Sequence, residues 1–315
     1  MRLIFMGAGE IALPSLRWLL DLEDHELVGV YTQPDKKVGR KQILTPPAIK
    51  VMAEESGVAV FQPETFRNND TDIEKLKSLD CDIALVMAYG QILPTSVIDA
   101  PKKACINLHA SILPRHRGAS PIQASIREGD SETGITLMHI VPQLDAGDMI
   151  LNQITPITAE DTGGILHDRL AQLGPTLLKK ALPILEGETI TAEPQSENLV
   201  TYSGKLERDD GHLDWSCSAA HLERLIRAYD PWPGTFATLT LGGEVRKLKI
   251  YPYAEVGPDH HSTPGTVILS DTQLVVSCGE GRLILNGDLQ LEGRKRMSSA
   301  DLLRGIEIPI GLILR

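Results

Sequence analysis

The residue types best suited to chemistry lie in residues 104–123, ACINLHASILPRHRGASPIQ, where an apolar run carries Asn107 and His109 at alternate positions. In an extended strand that spacing puts both side chains on one face, just before the chain breaks into a loop rich in proline and glycine. Strand ends are where open α/β sheets place their active sites. An amide and an imidazole there can donate to a developing oxyanion or exchange a proton, but strand ends also use both residue types as caps and hydrogen-bond partners. On these residues alone both readings stand. A second candidate is QLDAGDMI, in which Asp145 sits in a turn between two apolar runs and Asp148 caps the turn. Aspartate beside glycine is commonly no more than a turn former. A third is KKVGRK, residues 36–41, with four positive charges, bracketed by Pro34, Pro46 and Pro47. It reads as a mobile loop after the second strand, at the carboxyl edge of a sheet, where a basic loop could meet phosphate.

Elements that could hold these residues are written in the alternation of the first half. Short β-branched runs at 2–6, 27–31 and 83–87 are each followed by helical patterns, at 16–22, 49–55 and from 97 onward. Such alternation predicts a parallel sheet wrapped by helices, a Rossmann-like α/β domain. Further strands are expected at 104–108, 135–140 and 150–157, and a long helix at 164–185 with Gly187 behind it as a stop. Residues 189–205 turn polar without clear period, as a surface linker does. Beyond them a helix capped by Ser216 or Ser218 carries Leu222, Leu225 and Ile226 on one face. Short glycine-punctuated strands follow, then a last helix over 298–303 ahead of Gly305. The expected layout is a catalytic domain at 1–188, the linker, and a smaller β-barrel (OB-like) domain at 206–315.

At 315 residues the chain has ample length for two buried cores. Its hydrophobic and charged fractions, 42% and 23%, are those of ordinary globular proteins, and no run approaches the length of a membrane span. The start lacks the pattern of a secretory signal. Cys81, Cys105, Cys217 and Cys278 lie far apart, without a CxxC pair, which argues against a zinc site or a disulfide framework and fits a reducing cytoplasm. A formal charge of −11 weighs against a protein that coats nucleic acid by bulk attraction, so any RNA contact must use local patches.

Taken together, Asn107, His109, the SILPRHRGA loop and the LDAGD turn resemble the signature of the folate-dependent formyltransferases. Within that superfamily the chain is most similar to the methionyl-tRNA formyltransferases. The likeness runs nearly end to end, through YTQPD and its basic loop, AYGQILP, INLHASILPRHRGASPIQ, ETGITLM, LDAGDM, ITAEDT, TYSGKLERDDGHLDW and RAYDPWPG. Two departures are GAGE at residues 7–10, where the family carries Gly-Thr-Pro, and His116, where tryptophan is common.

The resemblance implies transfer of a formyl group from 10-formyltetrahydrofolate, the co-substrate, to the amino group of methionyl initiator tRNA, without a metal. An amine attacks the formyl carbon, an oxyanion forms and the folate N10 leaves. Asn107 and His109 would donate to the oxyanion, His109 could protonate N10, and Asp145 would orient His109 and accept a proton from the amine. By the same resemblance Ser111, Ile112, Leu113 and Pro114 line the folate pocket, and residues 87–93 meet the pterin through backbone groups. Arg40, supported by Lys36, Lys37 and Lys41, would grip the acceptor arm. Arg224, Arg227, Arg246, Lys247, Lys249, Arg294, Lys295 and Arg296 could add a basic track on the second domain, and a monomer is expected.

Alternatives rest on weaker features. GAGEIA, residues 7–12, imitates part of a dinucleotide fingerprint, but its last small residue is Ala12 and the second strand runs out in Tyr31, Thr32 and Gln33 without the acidic residue a ribose needs. A formyltetrahydrofolate hydrolase or a sugar-nucleotide formyltransferase could share the triad, but the basic loop and SPIQ favour tRNA. A non-catalytic RNA-binding module would have no use for the Asn, His, Asp set. Trp232 could stack on a base, but flanked by prolines it reads more readily as a packing anchor between domains, and His260 and His261 lack a ligand partner at metal spacing.

Overall fold

The computed structural model describes residues 1–39 and 41–315. Contacts divide it into two units. The first comprises Met1–Pro121, Glu132–Pro156 and His167–Ser203, and the second Ile122–Ser131, Ile157–Leu166 and Gly204–Arg315. The second unit is therefore not one contiguous stretch of chain, and residues 189–203 belong to the first.

In chain order the first unit runs β1 (Arg2–Gly7), α1 (Leu13–Leu20), β2 (Glu26–Tyr31), β3 (Lys36–Val38), β4 (Ile43–Thr45), α2 (Ala48–Glu55), β5 (Val60–Phe61), α3 (Asp70–Ser78), β6 (Ile83–Met87), α4 (Thr95–Ile98), β7 (Ala104–His109) and β8 (Arg117–Gly118). After α5 (Pro121–Arg127) come β9 (Glu132–His139), β10 (Met149–Pro156), α6 (Gly163–Glu186) and β11 (Tyr202–Ser203). Most of α5 and the first turn of α6 are counted with the second unit.

Seven strands form the main sheet in the order β10-β9-β7-β6-β1-β2-β5. The five strands from β5 to β7 are parallel, while β9 runs antiparallel to β7 and β10 antiparallel to β9. From β1 the chain passes first to β2 on one side and later to β6 on the other, so the topological switch lies between β1 and β6. The parallel strands are apolar almost throughout because helices cover both faces. On one face Ile4, Met6, Tyr31, Ala84 and Val86 pack with Ile73 and Leu76 of α3 and Val97 of α4. On α6, Leu170, Leu177, Leu178 and Ala181 are buried.

Two short ladders stand outside this sheet. Strands β3 and β4 pair antiparallel, Lys37 opposite Leu44, so the loop expected over 36–41 is largely an arm of a hairpin. Every residue of both strands is exposed, which is why no alternation of apolar and polar residues announces them. Strand β11 lies parallel to β8, Tyr202 opposite Arg117. The polar segment expected to run over the surface thus carries a strand, and Gln195 and Ser203 within it are buried.

The second unit contains α7 (Ala219–Ala228), β12 (Thr235–Leu241), β13 (Glu244–Ile250), β14 (Glu255–Gly257), β15 (Val267–Ser270), β16 (Leu274–Ser277), β17 (Arg282–Leu285), β18 (Asp288–Leu291), β19 (Met297–Ser298) and α8 (Ser299–Gly305). Ser218, not Ser216, caps α7, its hydroxyl accepting the His221 N–H at 3.2 Å. The strands make two four-stranded sheets, β12-β13-β18-β19 and β14-β17-β16-β15, antiparallel throughout. Among the described residues no helix is long and apolar enough to cross a membrane.

Candidate active site

Strand β7 delivers Asn107 and His109 at the carboxyl end of the parallel strands, with Asn107 opposite Met138 and His109 opposite Thr136 on β9. The imidazole is 5% exposed and is held from two sides. Its Nε2 lies 2.9 Å from the His116 carbonyl oxygen. A carbonyl only accepts, so Nε2 carries the proton and, in the neutral ring, Nδ1 presents a lone pair. That Nδ1 faces the Asp145 carboxylate, with 3.7 Å to Oδ2. The separation exceeds hydrogen-bond length, and Oδ2 instead accepts the Gly118 N–H at 2.8 Å. The side-chain amide of Asn107 has no hydrogen-bond partner among the described residues.

Asp145 adopts φ +50°, a left-handed conformation that aspartate tolerates better than most residues. Backbone this unusual persists only where its surroundings over-determine it. Here the Gln195 amide donates to the Asp145 carbonyl at 2.7 Å and to the Gly147 carbonyl at 2.8 Å. Gly147 must be glycine for proximity, since a Cβ there would stand 1.9 Å from the His139 carbonyl oxygen. Asp148 is exposed, and its backbone carbonyl accepts the His139 N–H at 2.9 Å. Burial pulls the His139 pKa below its ordinary value, against the opposing charge of Asp148.

The loop after β7 is fastened by residues 201–203. His116, at φ +60°, donates its backbone N–H to Thr201 Oγ1 at 2.8 Å. Arg117 N–H donates to the Thr201 carbonyl and Ala119 N–H to the Ser203 carbonyl, each at 2.9 Å. Gly118, at φ +114°, would bring a Cβ within 2.2 Å of that same Ser203 oxygen, so the strap lies directly on the loop.

Ser111, Ile112, Leu113 and Pro114 do not all face outward. Ser111 and Leu113 are buried: the Ser111 hydroxyl donates to the Arg115 carbonyl at 2.7 Å, and Thr136 Oγ1 links the Ser111 carbonyl to the Leu113 N–H. Ile112 and Pro114 are half-buried, so theirs are the side chains with surface to offer a ligand. After β6 the chain turns through positive φ at Ala88 and Gly90, and Gln33 Nε2 donates to the Tyr89 carbonyl at 2.8 Å.

Lys36, Lys37 and Lys41 are exposed on the β3–β4 hairpin and its turn, whereas Arg40 lies outside the described residues. Several of the second unit's basic residues are already committed to partners, while Lys249, Arg294 and Lys295 are exposed. Arg227 is buried, paired with Glu223 at 2.5 Å and donating to the Asp161 carbonyl. Arg224 donates to the Arg127 carbonyl. Arg246 and Arg296 are paired with Glu244 and Asp288, while Lys247, 3.6 Å from the Phe236 ring centre, shares one face of β13 with Lys249. Trp232 is 50% exposed, and His260 and His261 are exposed. Gln195, Thr201 and the His116 carbonyl escaped the sequence reading, because nothing in a polar segment marks which of its groups will meet a distant loop.

The formyl transferase profile matches residues 1–182, and the formyl transferase C-terminal domain profile matches residues 205–307. The methionyl-tRNA formyltransferase of Akkermansia muciniphila is 48% identical over 307 residues, covering 97% of this chain and 96% of the relative. That of Pseudomonas fluorescens is 46% identical over 303 residues, covering 96% and 92%. Among solved structures, an N-formyltransferase from Helicobacter canadensis in complex with folinic acid and dTDP-3-aminofucose superposes with a TM-score of 0.65 at 19% identity, over 90% of this chain and 98% of that one. WlaRD, a sugar 3N-formyl transferase, gives 0.64 at 17% identity over 94% and 99%. Those two share the fold. With profiles matching both halves of the chain and relatives of 46% and 48% identity aligned along nearly its whole length, the chain belongs to the methionyl-tRNA formyltransferase family.

Proposed function

We propose that the chain transfers the formyl group of 10-formyltetrahydrofolate to the amino group of methionyl initiator tRNA, with Asn107, His109 and Asp145 as its catalytic residues. The observation that carries the reading is the approach of the Asp145 carboxylate to the His109 ring beside an uncommitted Asn107 amide, in a chain of this family.

The free Asn107 amide is a donor for the oxyanion that forms when the amine attacks the formyl carbon. Loss of one such donor typically costs ~10²- to 10³-fold in rate. An α-amino group has a pKa of about 8 and is largely protonated at neutral pH, so the nucleophile must first lose a proton. Asp145 is the acceptor: Oδ2 holds the Gly118 N–H, while Oδ1 has no partner among the described residues and is open to the amine or a bridging water. His109 has one N–H, on Nε2, already given to the His116 carbonyl. To donate to the oxyanion it must exchange that carbonyl for the substrate atom; to protonate N10 it must give up the Nε2 proton while Nδ1 takes from Asp145 the proton that the carboxylate received from the amine, so that the ring ends neutral. The formyl donor is activated by its own nitrogen leaving group, so direct transfer suffices.

Ile112 and Pro114, with the backbone of Ser111, Leu113 and residues 87–93, serve the folate. Lys36, Lys37 and Lys41 of the hairpin, together with Arg40, grip the acceptor arm, since lysine and arginine pair with phosphate oxygens at little cost in sequence preference. The first unit carries the catalysis, and the second, whose main part is residues 204–315, assists tRNA binding. The protein acts as a monomer in the cytoplasm.

The test is transfer of labelled formyl from 10-formyltetrahydrofolate to methionyl initiator tRNA, beside uncharged tRNA, a sugar-nucleotide amine and water, for wild type and His109→Ala. Label on the charged tRNA, lost in the variant, is expected. Release only as formate would make the protein a hydrolase, and label on the sugar amine would overturn the choice of acceptor.

A further inference from the structure

Asp145 is held at both ends by groups far from it in sequence. Its carboxylate takes the Gly118 N–H, and its backbone is gripped by Gln195, which is 9% exposed. The orientation of that buried amide follows from its neighbours. Nε2 has two carbonyl oxygens within reach, those of Asp145 at 2.7 Å and Gly147 at 2.8 Å, and carbonyls only accept. Oε1 has Arg117 Nε at 2.9 Å, and a guanidinium only donates. Reversing the amide would set oxygen against two oxygens and N–H against N–H. Arg117, 2% exposed, is fixed in turn by Glu197 Oε1 at 3.0 Å.

This clamp bears on a residue whose backbone is in a left-handed conformation and whose carboxylate sits 3.7 Å from His109. Without the two donors, no other hydrogen bond among the described residues reaches the Asp145 and Gly147 carbonyls, and the turn is restrained only by the Gly118 N–H on the carboxylate and by its close packing on His139, so it can relax toward a commoner φ. That relaxation would swing the carboxylate away from the ring. A displacement of about 1 Å in a reacting constellation can cost ~10²-fold in rate.

We propose that Gln195 is a positioning residue for the formyl transfer reaction, clamping the backbone on both sides of Ala146, with Arg117 fixing which end of its amide faces the catalytic loop. The inference rests on the reading of Asp145 as catalytic given above. Gln195 does not touch substrate and acts only through Asp145.

Gln195→Glu tests it with little change of volume. It keeps an oxygen for Arg117 and replaces the two donors by a second oxygen facing two carbonyls. Gln195→Met, which removes all three hydrogen bonds without a charge, is measured beside it. For each, kcat and KM for 10-formyltetrahydrofolate and methionyl-tRNA are determined across pH, with thermal melting as the check on folding. The expected result is a fall in kcat of roughly 10- to 100-fold, with both KM values within about twofold of wild type. The pH dependence of kcat/KM should also change shape, because acid and base groups have been moved relative to one another. Wild-type kcat in a folded variant would overturn the proposal. So would a loss of kcat accompanied by an unchanged pH profile, or failure of both variants to fold, since either would make Gln195 a stabilising residue only. Absence of transfer by the wild type would overturn the functional reading, whereas a defect confined to His109→Ala would leave that reading intact and remove Gln195 from it.

Discussion

Each member of the Asn107, His109, Asp145 set is committed differently in the resting chain, and the differences decide what substitution should do. Asn107 makes no side-chain hydrogen bond among the described residues and is only half-buried, so its amide contributes little to folding. Asn107→Ala should lower kcat by ~10²- to 10³-fold while leaving the melting temperature within a degree or two of wild type. A variant that lost several degrees instead would show the amide to be structural, the strand-end role that its residue type also permits. Gly147 is the opposite case. A methyl group there would have to stand 1.9 Å from the His139 carbonyl oxygen, and both belong to backbone that cannot simply rotate aside. Gly147→Ala should therefore displace the Asp145 turn, reducing kcat by at least about tenfold and lowering the melting temperature as well. Wild-type turnover in that variant would mean that the loop has slack which the hydrogen bonds from Gln195 do not indicate.

At the scale of elements, β9 and the loop behind it couple the site to pH. His139 ends β9, and burial holds its pKa below the ordinary ~6.5 of a free histidine. Over the interval between those two values the unfolded chain binds more protons than the folded one, so stability falls as pH drops through about 6.5 and goes on falling until the folded value is passed. The melting temperature of the wild type should decline between about pH 7.5 and 5.5, and that of His139→Gln should decline less; equal slopes would show that His139 carries none of the effect. The same loop shows how far sequence reaches. Strands β1, β2, β6, β7, β9 and β10 and helix α6 announce themselves as apolar runs or long periodic patterns, because burial on a sheet or along a helix stripe repeats locally. Helix α3 does not, since only Ile73 and Leu76 of its nine residues are buried. Resemblance singled out Asn107, His109 and Asp145, and the structure sets the last two side by side, but nothing in the sequence marked the side chain that clamps Asp145. Gln195 lies 50 residues from Asp145 and 78 from Arg117, and no local pattern encodes a hydrogen bond across that distance.

For the molecule as a whole, the difficulty is to hold a polyanion on a chain of net charge −11. Long-range attraction cannot do it, since the overall field repels tRNA, so affinity must come from cations within about a Debye length of phosphate, ~8 Å at physiological salt. Several arginines of the second unit are already matched by carboxylates, Arg227 by Glu223, Arg246 by Glu244 and Arg296 by Asp288, which reduces what they can offer. Lys36, Lys37 and Lys41 are different, because all three are exposed on or beside one hairpin. Each phosphate contact that is removed should lower the slope of log K against log salt by roughly 0.7 to 0.9. Changing all three lysines to glutamine should therefore raise KM for methionyl-tRNA at least about tenfold near 0.15 M salt and flatten the salt dependence of binding by roughly 2 to 3. KM for 10-formyltetrahydrofolate should stay within about twofold of wild type, since the residues proposed for the folate lie on other loops. Binding titrations between about 50 and 200 mM salt measure the slope directly. An unchanged slope with a raised KM would mean that the hairpin acts by shape, through the exposed Val38, Ile43 and Leu44, and that the phosphates are held elsewhere.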